Sequence, residues 1–178
     1  VTVYDGPIAS YSAINQCIGV PVNFSNTSTN SVTYHWTVPS LVQTSTNNSP
    51  SYSFTTPGWH PVTLVATSAN NCVGTYIDSI EIYPLPIIAL GDTNTTCGTS
   101  FILDADTANI AGSNFFWNTG ATTSQFVATY NGDFIVNVTS SDGCFSSDTA
   151  YVSLNSAVVP NITNQSGCDL VVLDAGYP

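Results

Sequence analysis

The sequence contains no lysine and no arginine. Eleven acidic residues therefore stand against no fixed cation, and the formal net charge is −11. Charged residues make up 6% of the chain, against roughly 25% in an ordinary soluble domain. Without cations the chain cannot neutralise phosphates, which sets nucleic acid aside as a partner. The same shortage removes attraction to an anionic membrane surface. Helix formers are scarce too: methionine is absent and glutamate occurs once, as Glu81. No apolar run approaches 18 residues, so no segment reads as a membrane-spanning helix. The chain has no initiator Met, no basic n-region and no apolar h-region at its start. It begins and ends in mid-pattern, and the expectation is an excerpt of a longer mature protein.

What is present is enough for a core. Hydrophobic residues are 43% and aromatics 11%, too many for a disordered acidic tail. Ser, Thr and Asn supply 63 of the 178 residues, so the surface is covered by hydroxyls and amides. Period-two alternation dominates in Val20 to Phe24, Tyr34 to Val38, Pro61 to Thr67, Ile77 to Tyr83, Phe134 to Thr139 and Thr149 to Leu154. Asn70-Asn71, Asn131-Gly132, Asp142-Gly143 and Pro57-Gly58 mark turns between such runs. No sustained 3.6-residue stripe exists. Short strands separated by polar turns predict an all-β chain of β-sandwiches.

The chain also resembles itself. An alternating strand, a proline-containing joint and a cysteine recur as Val1 to Tyr4 with Pro7 and Cys17, Ile80 to Tyr83 with Pro84, Pro86 and Cys97, and Val152 to Leu154 with Pro160 and Cys168. A tryptophan follows the first cysteine of each full unit at near-constant distance, Trp36 after Cys17 and Trp117 after Cys97. A second cysteine, Cys72 or Cys144, closes each unit. The layout predicts tandem β-sandwiches joined by short Pro-containing linkers. Residues 1–8 form the last strand of a preceding repeat, 9–84 one sandwich, 85–157 a second, and 158–178 the truncated start of a further repeat. Cysteine–tryptophan–cysteine is a sandwich signature. It predicts Cys17–Cys72 and Cys97–Cys144 disulfides, with Cys168 paired beyond Pro178 and an oxidising compartment. Five cysteines allow other pairings, and five buried free thiols are the alternative.

Tyr52-Ser53-Phe54-Thr55-Thr56-Pro57-Gly58-Trp59-His60-Pro61-Val62-Thr63-Leu64 resembles the late strands of a PKD domain, in which an aromatic, a Pro-Gly turn and a V-T-L strand follow one another. Tyr34 to Val38 sits where that family has its aromatic-Trp strand, and Pro39-Ser40-Leu41 replaces the usual Gly-Asp-Gly turn. Phe116-Trp117-Asn118-Thr119-Gly120, Gly132-Asp133-Phe134-Ile135-Val136 and Asp142-Gly143-Cys144-Phe145 are similar to Ig-like repeats of giant secreted Bacteroidetes surface proteins, including gliding-motility adhesins of the SprB type. Together the two resemblances cover most of 9–157, and they imply that 9–84 is a PKD-like sandwich and 85–157 an Ig-like sandwich repeat. They imply type IX export and display at the cell surface. They also imply O-glycans at Asp-Ser/Thr followed by a small or aliphatic residue: Ser79, Thr107 and Thr149. The implied role is a non-enzymatic structural repeat of an adhesin, stalk or filament. Its partners would be neighbouring repeats of the same protein, with self-association into a fibre. The alternative is a carbohydrate-binding accessory module of a secreted hydrolase.

Little in the sequence carries chemistry. Asp104, Asp106 and Asn109 form D-x-D-x-x-N, oxygen ligands suited to Ca²⁺, with a plain strand-end turn as the competing reading. Zinc would need Cys and His at close spacing, and His35 and His60 are far apart in the chain. No Gly-x-Ser-x-Gly elbow exists. Alternation from the core Trp36 points His35 outward, and His60 is expected in the turn from Pro57 to Pro61. Trp59, also expected in that turn, is the candidate for stacking on a sugar ring; its competing reading is a cover for the sandwich end. No cofactor other than calcium is suggested.

Overall fold

The computed structural model describes residues 5–106 and 112–155, and the backbone of 163–167 and 170–174. Expectations resting on 1–4, Thr107, Asn109, 156–162, Cys168 and 175–178 lie outside the described residues.

The described chain is built of strands. In order they are β1 (Tyr11–Ser12), β2 (Gln16–Cys17), β3 (Pro21–Asn23), β4 (Ser25–Asn26), β5 (Thr33–Val38), β6 (Gln43–Ser45), β7 (Ser51–Ser53), β8 (Gly58–Thr67) and β9 (Val73–Tyr83). There follow β10 (Thr93–Cys97), β11 (Phe101–Asp104), β12 (Asn114–Trp117), β13 (Gln125–Ala128), β14 (Gly132–Thr139), β15 (Phe145–Asn155), β16 (Thr163–Gly167) and β17 (Leu170–Asp174). Among the described residues there is no α-helix; Pro39–Leu41, where the PKD turn would lie, is one 3-10 turn. Two compact units result. The first is Val1–Ile87 with Ala108–Asn114 and Val138–Ser146, and the second is Ile88–Thr107 with Phe115–Asn137 and Ser147–Pro178.

In the first unit β2-β9-β8-β5-β6 form a five-stranded sheet. The pairs β3–β7 and β1–β4 lie apart from it as two-stranded ladders. Strand β2 runs parallel to β9, and the remaining pairings of the large sheet are antiparallel. Alternation decides the faces. Along β8, Val62, Leu64 and Ala66 are buried while Trp59 and Pro61 are exposed. The inward residues Trp36, Val38, Val62, Leu64 and Ile82 join Val22 and Phe24 of the β3 side and Tyr52 and Phe54 of the β7 side in one core. Tyr11 sits edge-on to Phe24 at 5.5 Å and close to Trp36 at 5.2 Å. Its hydroxyl donates to the Val62 carbonyl at 3.0 Å. Burial first, then the neighbouring Asp78 and Tyr76, pushes this phenol far above its ordinary value, so it stays a donor.

The second sheet, β10-β15-β14-β12, has the same grammar, with the pair β11–β13 beside it. Here β10 runs parallel to β15, as β2 does to β9. Leu103, Trp117, Ala128, Phe134, Val136, Ala150 and Val152 are fully buried. Phe126 stacks obliquely between Trp117 and Phe134, at 5.4 and 5.2 Å. Each tryptophan satisfies its one donor without leaving the core: Trp36 Nε1 donates to the Asn47 carbonyl at 2.9 Å, and Trp117 Nε1 to the Thr123 carbonyl at 2.8 Å.

One glycine is required by contact. A Cβ on Gly74 of β9 would strike the Pro7 carbonyl and lie 3.3 Å from the Ala9 nitrogen. The leading segment can press on the sheet only because this side chain is missing. Gly74→Ala is therefore expected to destabilise the chain and to loosen residues 7–9, read as faster amide exchange at Ala9. Trp36→Ala is expected to lower the free energy of unfolding by about 3–5 kcal/mol, measured by urea denaturation.

Candidate functional site

The cysteines are placed differently from the expectation. Cys17 is bonded to Cys144, 127 residues away, and Cys72 and Cys97 are free. Both bonded residues belong to the first compact unit, which includes Val138–Ser146. The expected Cys17–Cys72 and Cys97–Cys144 pairings fail for a simple reason of length. Cys17 stands opposite Tyr83 at one end of β9, and Cys72 immediately precedes Val73 at the other end. A strand of this length separates them by roughly 35 Å, whereas a disulfide needs Cα atoms within about 4.4–6.8 Å. Cys97 opposite Asn155 and Cys144 before Phe145 are divided by β15 in the same way.

The two hairpins that carry Cys72 and Cys144 match bond for bond. In one, Ser68 N donates to the Cys72 carbonyl at 2.9 Å, Asn71 N to the Ser68 carbonyl at 3.0 Å, and Cys72 N to Ser68 Oγ at 3.2 Å. In the other, Ser140 N donates to the Cys144 carbonyl at 2.8 Å, Gly143 N to the Ser140 carbonyl at 3.0 Å, and Cys144 N to Ser140 Oγ at 3.1 Å. Asn71 and Gly143 take the left-handed position, with φ of 60° and 82°.

Trp59 is a strand residue of β8 and not a turn residue, and it is 65% exposed. It stands opposite Glu81, and the next outward pair on the same face is Pro61 with Ser79. Ser79 is thus an exposed mid-strand hydroxyl beside an exposed indole. Thr149 of β15 is also exposed. The two sites are built alike: Asp78 Oδ1 accepts the Ser79 N–H, and Asp148 Oδ1 accepts the Thr149 N–H, both at 2.8 Å. Next to Ser79 lies an open hollow of about 280 Å³ lined by Tyr11, Ser12, Ala13, Asn15, Asp78 and Ile80 as well.

The calcium candidate is occupied by its own turn. Asp104 Oδ1 accepts the Asp106 N–H at 3.0 Å and Oδ2 accepts from Gln125 Nε2 at 2.9 Å. These two bonds, Gln125 foremost, hold the Asp104 carboxyl below the usual carboxylate value. Among the described residues no three His, Cys, Asp or Glu side chains gather to hold a metal.

His35 is exposed, as alternation requires. His60 is not in a turn: it lies in β8, faces the core and is buried. Its Nε2 is 2.9 Å from the Thr56 carbonyl, an obligate acceptor, so Nε2 carries a proton, and Nδ1 is hydrogen-bonded with Ser40 Oγ at 2.9 Å. The sequence reading missed this pair, although the register of Val62, Leu64 and Ala66 already placed residue 60 on the inner face. A carbonyl stands where a catalytic pair would have an acid. The arrangement pins the 3-10 turn to the strand.

No protein-family profile and no curated protein matches the chain. Solved structures similar to it include the PKD1 domain of the Vibrio cholerae metalloprotease PrtV, at 29% identity over 44% of this chain and 98% of that one, with a TM-score of 0.39. The PKD1 domain of Vibrio anguillarum Epp is 24% identical over 45% of this chain and 96% of that one, at a TM-score of 0.40. The two Ig domains of DIP-gamma are 11% identical over 85% of this chain and 98% of that one, at 0.46. Superpositions this loose decide neither fold nor function; the architecture stands on its own strand pairing. No helix among the described residues is long and apolar enough to cross a membrane.

Two outcomes follow from these sites. Non-reducing peptide mapping is expected to recover a Cys17–Cys144 cross-link, and reduction to lower stability by about 2–5 kcal/mol. By NMR, Asp104 is expected to titrate below the ordinary value of about 3.9, and Gln125→Ala to raise its midpoint. Because the folded value is the lower one, the stability Asp104 adds is present above the unfolded value and is lost as pH falls through the folded value.

Proposed function

We propose that the chain is a non-enzymatic structural segment of an extracellular surface protein, a stalk or adhesive filament assembled from repeats of this kind. Residues 9–84 and 85–157 are two consecutive repeats. The observation that carries this reading is the recurrence in three dimensions of the same parts: a short opening strand parallel to a long one, a core tryptophan bonded through Nε1, and a Ser-to-Cys hairpin. Function then lies in length, in stiffness and in a surface of hydroxyls and amides. The disulfide supports an oxidising, extracellular setting. The resemblance to SprB-type Bacteroidetes adhesins, exported by the type IX route, fits the same role. Ser79 and Thr149 have the exposure that O-glycan attachment requires, and glycans would help to solubilise a chain with so few charges. Intact mass of the native material, before and after reduction, tests the reading. Heterogeneous added mass on the peptides holding Ser79 and Thr149 is expected; a bare chain with every thiol free overturns it.

A second reading, a carbohydrate-recognising module of a secreted hydrolase, is favoured by Trp59 alone, an exposed indole on a sheet face with Ser79 and Glu81 beside it. Glycan-array binding that is lost in Trp59→Ala while the circular dichroism spectrum stays unchanged would support it. The structural reading expects no glycan signal from either protein.

A further inference from the structure

One end of the outer face of the five-stranded sheet collects side chains that the core does not use. Trp59 of β8 stands opposite Glu81 of β9, and an antiparallel pair of this kind brings the Cβ atoms to about 4.5–5.5 Å. Pro61 and Ser79 form the next outward pair on one side, and both are exposed. On the other side Tyr83 follows Glu81 on the same face, because alternate residues of a strand share a face. Asn15, just before β2, ties this end together. Its Oδ1 accepts the Glu81 N–H at 3.1 Å, and its Nδ2 donates to the Tyr83 hydroxyl oxygen at 3.1 Å. The phenol keeps its own O–H to offer. The hollow beside Ser79 adjoins the same edge of β9 and adds the Asp78 carboxylate and the Ser12 hydroxyl. All these residues lie in the first compact unit.

Two features of the cluster point to a ligand and to its charge. Glu81 is the one glutamate of the chain, and no lysine or arginine exists to meet its carboxylate. Among the described residues only its backbone N–H is hydrogen-bonded by a side chain. Beside it stands an indole that is 65% exposed. An open indole face with a carboxylate next to it receives an organic cation: the ring face attracts the charge and the carboxylate neutralises it.

We propose that this cluster binds a sugar polymer with free amino groups, of the kind represented by oligomers of β-linked glucosamine. The apolar face of one pyranose ring lies on Trp59, its ammonium group donates to Glu81, and its hydroxyls reach Ser79 and Tyr83. The hollow gives room to a neighbouring ring. The proposal rests on the second reading given under Proposed function and names the ligand of that site. Charge decides the class. A formal net charge of −11 attracts a polycation and repels acidic polymers. A neutral sugar would cover Glu81 without neutralising it, at a cost in desolvation. A lysine side chain would meet the charge, but it has no ring face to lay on the indole and would lose rotamer freedom on an open sheet.

The test follows the tryptophan fluorescence of the full chain, titrated with a glucosamine oligomer in a mildly acidic buffer that keeps the sugar amines protonated. Trp36 and Trp117 are fully buried, so the change reports on Trp59. Parallel titrations use the fully N-acetylated oligomer, a β-linked glucose oligomer and oligolysine. The expected result is saturable binding of the glucosamine oligomer, about tenfold or more tighter than the acetylated and glucose oligomers. Glu81→Gln, and Trp59→Ala followed by calorimetry, are each expected to weaken it by about tenfold with an unchanged circular dichroism spectrum. Asp133→Asn, which removes one exposed charge from the second unit, is expected to leave it within about twofold. If Trp59→Ala disturbs the spectrum, Glu81→Gln decides alone. An equal loss in Asp133→Asn reduces the binding to diffuse attraction of a polycation and overturns the proposal. Oligolysine bound as tightly, with the same dependence on Trp59 and Glu81, overturns it in favour of a basic protein segment. Equal binding of the glucose or acetylated oligomer overturns the amino-sugar assignment and leaves the second reading standing. Binding of none of the oligomers sinks both.

Discussion

A chain without lysine or arginine has to settle its carboxylates without ion pairs, and much of the local geometry follows from that constraint. The acids turn to backbone amides. Asp78 and Asp148 each accept the N–H of the next residue, and Asp148 also accepts from Leu90 at 2.9 Å. Asp104 accepts from Asp106 N and the Gln125 amide. The same economy extends to the core, where Tyr11, Trp36, Trp117 and His60 donate to main-chain carbonyls.

The second organising feature is the long strand. β9 and β15 each run eleven residues and carry the hairpin cysteine at one end and the opening-strand partner at the other. In a sandwich closed by its own disulfide, the two cysteines face each other across the core. Here the two cysteines of each long strand sit at its opposite ends, too far apart to bond each other. The cores are held by aromatic packing around Trp36 and Trp117, both fully buried.

Much of this was legible in the residues. Period-two alternation located the long strands within a few positions, since β-branched and aromatic side chains alternating with polar ones can be satisfied only on a half-buried pleat. The tryptophans marked the cores, and Asn70-Asn71 and Asp142-Gly143 marked the hairpins because those positions need a left-handed backbone. His60 and Trp59 were misplaced into a turn because Pro57-Gly58 reads as a break and Pro61 as another. In the fold Gly58 already begins β8, and Pro61 lies within it on the exposed face. The candidate site was less legible, since exposure of Trp59, Ser79 and Thr149 depends on which face the partner strands leave open.

What the sequence determined by itself was the all-β character, the inward and outward faces of the alternating runs, and the repetition of parts, all of which are set by neighbours a few residues apart. Only the tertiary structure decided which cysteine meets which, that His60 is locked between Ser40 and Thr56, and that Trp59 stands beside Ser79 and Glu81. Those are distances between residues remote in the chain. They are fixed by strand length, pairing register and the parallel docking of the opening strands, and none of these is written in local spacing.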